Sequence, residues 1–597
     1  MRCSLVSSGL CVRFRPTSFD PHSALRSSAW FYAALFALVS ALSQPALGNP
    51  DEHTNERQWT HQAQLKTQAR DALETLRTAS QHGLPENRYA LSRLNLLAEN
   101  LQSDINAQQF NELLTAALET YTIDLIQGLQ PSAFVNRGDP KYCKNARHTV
   151  SSQLRTGVLK SLHRAIKTNR LSKFMRSIEP AHKDYALLKT ELRKHKALVA
   201  RGGWPLVRKA SNGESLRVGA YHPQVLDLRA RLAVTDISVE RNPATHPQRY
   251  DKRLEQAVMR FQTRHGLTAD GVVGESTLTA LNVTATQRVQ QIELNLDRFR
   301  LLPKVMPANH IWVNVPQYEM TLQLDREQVL DMRVVVGKTS SPTPMMHDVL
   351  EHLVFSPYWY PTKRISREEI LPAIKADPHY LVDHRFDVLK NNKPIDPSGI
   401  NWQAIKASNL RYQFRQRPGK GNSLGDVKFI FPNNYSVYLH DSNTHHLFDK
   451  SMRAYSHGCV RVEDPESLAT ALLAWDSGWK REKVSRAMAS GRQKYVKLGQ
   501  TIPVYLVYFT ATVKDGVLNF HNDLYGHDKR HTAKLRLSAQ QDNEGKGNSK
   551  VAQVLKRYPT ISESHAAPQL VSISMSPSSS SVSSSGPDAV LANANPR

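Results

Sequence analysis

Cysteine is scarce in this sequence, which has four of them among 597 residues. Cys3 and Cys11 lie close to the N-terminus, so Cys143 and Cys459 are the two in the body of the chain. This number excludes a disulfide framework, on which small secreted domains depend for their stability. One bridge between Cys143 and Cys459 stays open, and so does an unpaired thiol that takes part in a reaction.

Long apolar runs are also missing, apart from residues 29–42 near the N-terminus. That stretch follows Arg13, Arg15 and Arg26 and precedes small residues, which is the order of a secretory signal. It is shorter than the roughly 20 apolar residues that span a bilayer. We therefore predict a signal peptide over residues 1–48, export to the periplasm and a soluble mature protein. An uncleaved anchor in the inner membrane is the alternative.

Negative charge is in deficit, with 53 acidic against 78 basic residues, a net charge of +25 and a pI of about 9.8. Such a surface attracts an anionic partner, which can be a nucleic acid, a membrane surface or an acidic polymer. The sequence has no zinc-finger spacing, no RNP-type motif and no arginine-rich arm, so we predict no nucleic-acid partner. An anionic membrane surface and an acidic polymer remain.

The length predicts several domains, and the first of them is helical. Between residues 55 and 210 the apolar residues fall at helical spacing, as Phe110, Leu113 and Leu114 do, and Gly128 follows as a stop. No group of reactive side chains stands out in this region. We therefore predict a helical scaffold domain over residues 55–210.

A compact unit follows at residues 215–283, where an apolar stripe precedes a turn with two glycines and a second short helix. The motif consists of Ala257-Val258-Met259-Arg260-Phe261-Gln262, Gly266-Leu267, Asp270-Gly271, Gly274, Thr277-Leu278 and Leu281-Asn282. It resembles the small three-helix peptidoglycan-binding domain. The resemblance implies binding to the wall or positioning of a substrate, and docking of the neighbouring domains is the structural alternative.

Beyond a helical linker at residues 288–302 the apolar period changes to two, which predicts β-strands. The predicted strands lie at residues 311–315, 320–324, 332–336, 427–431, 435–440 and 503–508. We predict a mainly β domain over residues 309–511. An insertion of helix and loop at residues 358–424 is long enough to act as a functional lid over that domain.

The end of the chain differs in composition. We predict a C-terminal extension over residues 512–537, whereas the sequence beyond them is polar, with a serine-rich run at residues 575–586. Such a segment buries too little apolar surface to offset its ordering entropy, so we predict a disordered tail over residues 538–597. The predicted fold class is multidomain α+β: a helical scaffold, a three-helix domain and a mainly β domain with a capping insertion.

The densest group of reactive side chains lies between His440 and Arg461, and it allows three interpretations. In the first, an imidazole activates the Cys459 thiol as a nucleophile, because His440 ends an apolar strand to which the chain can return. In the second, imidazoles and the thiol bind zinc, although His-x-x-x-His and Cys-x-x-Cys pairs are missing. In the third, the cysteine is a buried structural residue. We predict neither a metal nor a cofactor.

The run Ser456-His457-Gly458-Cys459-Val460-Arg461, with a strand-end histidine upstream, resembles the signature of the L,D-transpeptidase catalytic family. The segments before it resemble the large Gram-negative members, which combine scaffold, peptidoglycan-binding and capped catalytic domains. These segments are Pro418-Gly419, Asn422-Ser423-Leu424-Gly425, Val427-Lys428-Phe429, Phe431-Pro432-Asn433 and Tyr438-Leu439-His440-Asp441. The resemblance covers roughly residues 55–530.

The resemblance implies a role for each residue of the motif. Cys459 is the nucleophile and His440 the general base, although His457 competes for the second role. Ser456 and His457 support the loop, and the backbone N–H groups of Gly458 and Cys459 receive an oxyanion.

Further residues are expected near the substrate. Arg461 either holds the loop or meets a carboxylate of the stem peptide. Tyr358, Trp359 and Tyr360 begin the insertion, and they either wall the stem-binding cleft or pack in a hydrophobic core. Asp441 follows the strand-end histidine, as in the large members of the family, and we predict it in the substrate site.

The implied reaction is peptidoglycan transpeptidation, with stem peptides and glycan as partners and a contribution to wall biogenesis and cell shape. The thiolate attacks the third residue of a tetrapeptide stem, D-Ala leaves, and an amine of a neighbouring stem resolves the thioester into a 3→3 cross-link. Other wall-synthesis proteins are further candidate partners. The alternatives are an L,D-carboxypeptidase, an enzyme that attaches an envelope protein to the wall, and a non-catalytic wall-binding scaffold.

Overall fold

The structure, a computed structural model, describes residues 58–129, 152–209, 213–543 without 242 and 244, and 549–558. The predicted signal, Cys143 and the serine-rich run lie outside these residues. Within them, no helix combines the length and the apolarity that crossing a bilayer requires. The predicted fold class is confirmed, because helices and a large mixed sheet occupy separate parts of the chain.

The scaffold region packs helices around one apolar core, behind a short hairpin of strands β1 (Thr60–His61) and β2 (Gln64–Leu65). Its helices are α1 (Thr67–Arg77), α2 (Leu91–Glu99), α3 (Asp104–Gln127), α4 (Ser152–Lys167), α5 (Leu171–Ile178) and α6 (Lys183–Ala200). The Ser103 side chain caps α3 by accepting from the Asn106 N–H, and Gly128 ends it with a φ of 74°. Phe110, Leu113 and Leu114 are fully buried, which confirms the predicted apolar face.

The second region consists of three short helices around a glycine turn. They are α7 (Gln224–Leu232), α8 (Lys252–Arg264) and α9 (Glu275–Leu281). The Gln262 side chain accepts from the Gly271 N–H and donates to the Val272 carbonyl. Gly271 has a φ of 69°, a conformation that favours glycine. A buried glutamine therefore fixes the turn that the sequence motif marks.

Helix α10 (Ala285–Phe299) joins the three-helix region to the rest of the chain. Thr284 and Gln287 form a capping box at its start. Farther along, its Asn295 side chain donates to Thr510 Oγ1, and its Asp297 carboxylate accepts from the Leu129 N–H. The helix therefore holds the scaffold against the β domain.

The β domain is built on a nine-stranded sheet, and the insertion adds three further strands. The strands of this part of the chain are β3 (His310–Asn314), β4 (Glu319–Leu324), β5 (Glu327–Gly337), β6 (Met346–Phe355), β7 (Phe386–Lys390), β8 (Lys393–Ile395), β9 (Gln413–Gln416), β10 (Val427–Ile430), β11 (Leu439–His440), β12 (Ala454–Ser456), β13 (Val460–Val462) and β14 (Lys494–Val507). Strands β7 to β9 belong to the insertion, and the order in the large sheet is β12-β5-β13-β11-β10-β6-β14-β3-β4. Because β4 also pairs with β5, the sheet closes on itself around the largest apolar core.

The insertion differs from its prediction as helix and loop only. Its helical parts are α11 (Lys363–Ile365), a π-helical turn (Ser366–Ile370), α12 (Leu371–Ala376) and α13 (Tyr380–Asp383). It also contains a small sheet of order β8-β7-β9. Asn391 and Asn392 join β7 to β8 with φ values of 52° and 63°, the pair of positive φ values that a tight hairpin needs. A separate apolar core lies under this sheet, so the insertion has its own packed interior.

The remaining elements carry the chain back to the scaffold. They are α14 (Pro465–Ser477), α15 (Arg481–Met488), β15 (Ala511–Lys514), β16 (Val517–Phe520), α16 (His527–Asn543) and α17 (Lys550–Arg557). The end of α16 (residues 538–543) and helix α17 lie in the region predicted to be disordered, and for these described residues that prediction is wrong. Val551 and Val554 are buried in the scaffold core, and Lys550 pairs with Glu119 of α3. The apolar area that α17 buries there offsets its ordering entropy.

Helix α17 gives a stability prediction. We expect Val554→Asp to lower the free energy of unfolding by about 2–3 kcal/mol, because a charge replaces a fully buried valine and the helix detaches from the scaffold. Gln553→Asp is the matched control, since it places the same charge on the exposed side of the same turn. Urea unfolding and limited proteolysis of the C-terminus measure the difference, and equal stability of the two variants contradicts the docking of α17.

Candidate active site

Cys459 immediately precedes β13, beside the strand that ends at His440. Strands β11 and β13 run parallel, with Leu439 opposite Val460 and His440 opposite Arg461. Leu439 and Val460 point into the core of the domain. Because successive side chains alternate between the two faces of a sheet, His440 and Cys459 share the other face. The two side chains therefore lie on the same face of neighbouring strands.

His440 is buried and held in one tautomer. Its Nδ1 lies 2.5 Å from the carbonyl oxygen of Asp441, which can only accept a hydrogen bond, so Nδ1 carries the proton. Nε2 is then free to accept a proton. Burial, together with the positive charges of Arg461 and Lys428, lowers the pKa of His440 to about 3. The imidazole is therefore neutral near pH 7, in the state that a general base requires.

The Cys459 thiol is half-buried, and burial raises its pKa to about 11. Hydrogen bonds from Tyr438 and the charges of Arg461 and Lys428 act in the opposite direction. The sulfur also lies 3.7 Å from the carbonyl oxygen of Ser436. The resting state is thus a neutral thiol beside a neutral imidazole, and a base is needed to generate the thiolate.

Tyr438 also belongs to this site, although its sequence context predicts no role for it. Continuing the parallel register by one residue places Tyr438 beside Cys459, and its hydroxyl is hydrogen bonded to the thiol. Its ring lies edge-on to the imidazole of His440, with 5.6 Å between the centroids. The signal in the sequence is its position two residues before His440, which puts both side chains on one face of the strand.

The loop before Cys459 is shaped by Ser456 and Gly458. The Ser456 hydroxyl donates to the Cys459 carbonyl at 2.5 Å and accepts from the Gly458 N–H at 3.1 Å. Gly458 has a φ of 117°, which residues with a Cβ rarely adopt. Because its N–H is already occupied, Gly458 is not an available oxyanion donor in this conformation. Among the described residues the Cys459 N–H has no hydrogen-bond partner, so this group remains for the oxyanion.

A second set of hydrogen bonds ties the loop to the connection between β5 and β6. Thr343 Oγ1 accepts from the Gly337 N–H and donates to the Gly458 carbonyl at 2.8 Å. The hydroxyl of Tyr525 accepts from the Thr343 N–H and donates to the Gly337 carbonyl at 2.6 Å. Residues distant in sequence thus hold the Gly458 turn in place.

His457 contacts the insertion rather than the thiol. Its Nε2 lies 2.5 Å from Glu369 Oε1, and Lys338 Nζ lies 3.7 Å from the same oxygen. Glu369 belongs to the π-helical turn of the insertion. Arg364 of the insertion also donates to the Ser341 hydroxyl in the β5–β6 connection. The insertion therefore covers the catalytic loop, and the geometry favours His440 over His457 as the base.

A cavity of about 420 Å³ lies between this insertion and the loop. His457 and Gly458 line one side of it, and Thr362, Arg364 and Ile365 line another. The β5–β6 connection, Tyr435, Val437 and His527 form the rest of its walls. Pockets of this size hold small ligands or short peptide segments.

The three aromatic residues at the start of the insertion do not line this cavity. Trp359 packs on the core of the insertion and pairs with Gln416 through the backbone. The guanidinium of Arg415 lies 4.6 Å from the ring centroid of Tyr358, and Tyr360 is exposed. Of the two roles considered for these aromatic residues, Trp359 therefore has the second, packing in a hydrophobic core.

Asp441 is a structural residue, and its prediction as a substrate-binding residue is wrong. Its carboxylate is buried and accepts from the N–H groups of Asp426 and Ser442. It also fills the space beside Gly425, where a Cβ would lie 2.2 Å from its carboxylate carbon. The side chain holds the turns on either side of β11 and is not available to a ligand.

Arg461 holds the loop that follows His440. Its guanidinium donates to Thr444 Oγ1 at 2.5 Å and to Ser442 Oγ at 3.4 Å. The first of its two predicted roles therefore agrees with the contacts. Among the described residues, no group of three or more histidine, cysteine and acidic side chains is arranged to hold a metal ion.

Three parts of the chain match models of known domain families. Residues 308–493 match the model of the L,D-transpeptidase catalytic domain, residues 51–192 that of the scaffold domain and residues 221–281 that of the "Putative peptidoglycan binding domain". The chain thus contains an L,D-transpeptidase catalytic domain. Along the chain the three matches follow one another in the order scaffold domain, peptidoglycan-binding domain and catalytic domain.

Two curated relatives match parts of the chain. A "Putative L,D-transpeptidase" of Haemophilus influenzae is 35% identical over 243 residues, which are 40% of this chain and 48% of that protein. The N-acetylmuramoyl-L-alanine amidase CwlM of Mycobacterium tuberculosis is 36% identical over 81 residues, 12% of this chain and 20% of that one. The matched regions thus span about half of the first relative and a fifth of the second.

Among solved structures, an L,D-transpeptidase from Xylanimonas cellulosilytica is 16% identical, with a TM-score of 0.16. The match covers 49% of this chain and 98% of that one.

Proposed function

We propose that this protein is a peptidoglycan L,D-transpeptidase that forms 3→3 cross-links. One observation carries the proposal: the Cys459 thiol shares a sheet face with the neutral, tautomer-fixed imidazole of His440, inside the residues that match the catalytic domain. The loop at Gly458 and the cavity beside it provide room for a peptide.

The reaction begins with the thiol. His440 Nε2 accepts the proton of Cys459, and the thiolate attacks the carbonyl carbon of the third residue of a tetrapeptide stem. The Cys459 N–H donates to the developing oxyanion. When the C–N bond to D-Ala breaks, the leaving amine takes the proton from His440, and a thioester remains.

The second half of the reaction resolves this thioester. An amine of a neighbouring stem attacks the thioester carbonyl, and His440 accepts the proton that the amine loses. The thiolate then leaves and is reprotonated, which restores the resting site. Water in place of the amine would release a tripeptide, and a lysine amine would attach a protein to the wall.

We further propose export to the periplasm, with a basic surface that favours the anionic wall. The N-terminal order of charge, apolar residues and small residues supports export, and the net charge of +25 supports a polyanionic partner. Other wall-synthesis proteins are candidate partners in the same compartment.

The products formed from purified tetrapeptide muropeptides test the proposed function. We expect 3→3 linked dimers by mass spectrometry, together with a transient acyl adduct on the intact protein. Tripeptide monomers alone would identify a carboxypeptidase. The absence of both an adduct and a product would leave only the wall-binding scaffold. The intact mass of protein recovered from cells also reports whether the residues up to about position 48 have been removed.

A further inference from the structure

Lys428 is a cation on the catalytic face that the reaction described above does not use. Strand β10 places Val427 and Phe429 in the core, so the Lys428 side chain points to the opposite face. The sheet register sets Lys428 directly beside His440. Its Nζ lies 5.7 Å from the ring centroid of Tyr438. The ammonium therefore faces the same space as the thiol and the imidazole.

The charge of this lysine is not compensated by a carboxylate. Burial lowers the pKa of Lys428, and the side chain is only partly exposed. In the part of the chain that the structure describes, it takes part in no ion pair and no hydrogen bond, and the Tyr438 ring is its polarisable neighbour. A partly buried cation without a partner costs free energy, and such groups concentrate at functional sites.

The neighbours of Lys428 increase the positive potential on this face. Arg461 lies on β13, the strand beyond His440, and its guanidinium donates hydrogen bonds to Thr444 and Ser442. His440 is neutral, and the thiol is protonated in the resting state because its pKa is about 11. The face therefore has an excess of positive charge before a substrate arrives, and Lys428 is the cation left free to pair with an anion.

The donor peptide brings an anion at the required distance. Two strand spacings, together about 10 Å, and an offset of two residues along the strands, about 7 Å, put the backbones of Lys428 and Cys459 about 12 Å apart. The carboxylate of the terminal residue lies roughly one residue, ~3.8 Å, beyond the carbonyl that the thiolate attacks. A lysine side chain directed toward the thiol can bridge the rest of this span.

We propose that Lys428 binds the terminal carboxylate of the donor stem peptide. The inference rests on the proposed function and adds a binding group to that site. A carboxylate paired with Lys428 places the preceding carbonyl at Cys459, so peptides that end one residue after the attacked carbonyl are selected. The carboxylate departs with the leaving amino acid, and Lys428 is free again for the next donor.

The test compares two donors that differ only at the terminal group: a tetrapeptide with a free carboxylate and the same peptide as its terminal amide. Intact-protein mass spectrometry follows the rate of adduct formation on Cys459. We expect the wild type to prefer the free acid by about 10- to 100-fold in kcat/KM, as a charged hydrogen bond provides. Lys428→Met should lose this preference because its kcat/KM falls for the free acid and stays unchanged for the amide. Lys428→Arg should keep most of the preference.

Lys497→Met is the matched control, because it removes an exposed lysine from strand β14, which lies two strands from β10 in the same sheet. This variant should keep the wild-type preference. If the wild type acylates both donors equally, the inference is wrong whatever the variants do.

Two further outcomes separate the explanations. If Lys428→Met slows both donors to the same extent and shifts the pH profile of thiol alkylation by iodoacetamide, the lysine acts on the thiol and the inference is overturned. If the wild type is acylated by neither donor, the proposed function itself fails, and the inference fails with it.

Discussion

Replacing Cys459 with alanine is expected to abolish acyl transfer, with a loss on the order of 10⁶-fold in kcat, as removal of a catalytic nucleophile causes. The neighbouring His440 and the Cys459 N–H cannot replace the bond that sulfur forms to the donor. The substitution removes one polarisable atom from a half-buried position, so unfolding free energy should change by only about 1 kcal/mol. Purified muropeptides and intact-protein mass spectrometry measure the loss of both product and adduct.

Cys143→Ala is the matched control for this variant, because it removes the other cysteine in the body of the chain. It should form adduct and product at the wild-type rate. Cross-linked dimers formed by Cys459→Ala would contradict the assignment of the nucleophile. Equal loss in both variants would indicate that the two sulfurs act together, as in the disulfide alternative.

Local signals in the sequence predicted the helices well and the sheet less completely. The buried stripe of α8 and the Ser103-capped α3 depend on neighbours within a few residues, and both were predicted. Strand β6 was missed, although it lies between β10 and β14 in the sheet. Its charged residues, such as Asp348 and Glu351, interrupt the apolar pattern, and its pairing depends on strands far away in the sequence.

The sequence of helix α17 contains a helical signal, but the polar composition around it led to a prediction of disorder. Val551, Val554, Leu555 and Tyr558 recur at helical spacing, and Ser549 caps the helix by accepting from the Ala552 N–H. The surrounding polar sequence favours disorder. The helix is stabilised by a groove of the scaffold, which a single local pattern cannot reveal.

The candidate site also combines residues that local sequence predicts with residues that only the tertiary structure brings in. The run from Ser456 to Arg461 is contiguous, so its residue types and their order could be read directly. Lys428 and Tyr438 join the site through strand register, and Glu369 reaches His457 through the fold of the insertion. Such partners follow from tertiary structure. The opposite holds for Asp441. Its position next to His440 in the sequence suggested a substrate-binding residue, whereas its carboxylate accepts hydrogen bonds from the backbone of two turns.

Replacing His440 with glutamine should lower kcat by about 10²- to 10⁴-fold, the contribution of a positioned general base. The pH dependence gives the sharper test. In the wild type the imidazole is unprotonated above about pH 4, because the pKa of His440 is about 3, so kcat/KM should show no loss of base between pH 8 and 5. Without the base, attack requires thiolate formed by ionisation alone. With a thiol pKa of about 11, the rate of the variant should rise roughly tenfold per pH unit toward that value.

His457→Gln separates the two histidines. It removes the contact with Glu369 and leaves the sheet face around the thiol intact, so its pH profile should keep the shape of the wild type. A steep profile for His457→Gln, with a wild-type profile for His440→Gln, would exchange the two assignments. A neutral thiol with a pKa of about 11 is unreactive on its own, because at pH 8 only about one molecule in 10³ carries a thiolate. The base is therefore the histidine whose replacement by glutamine makes the rate rise steeply with pH.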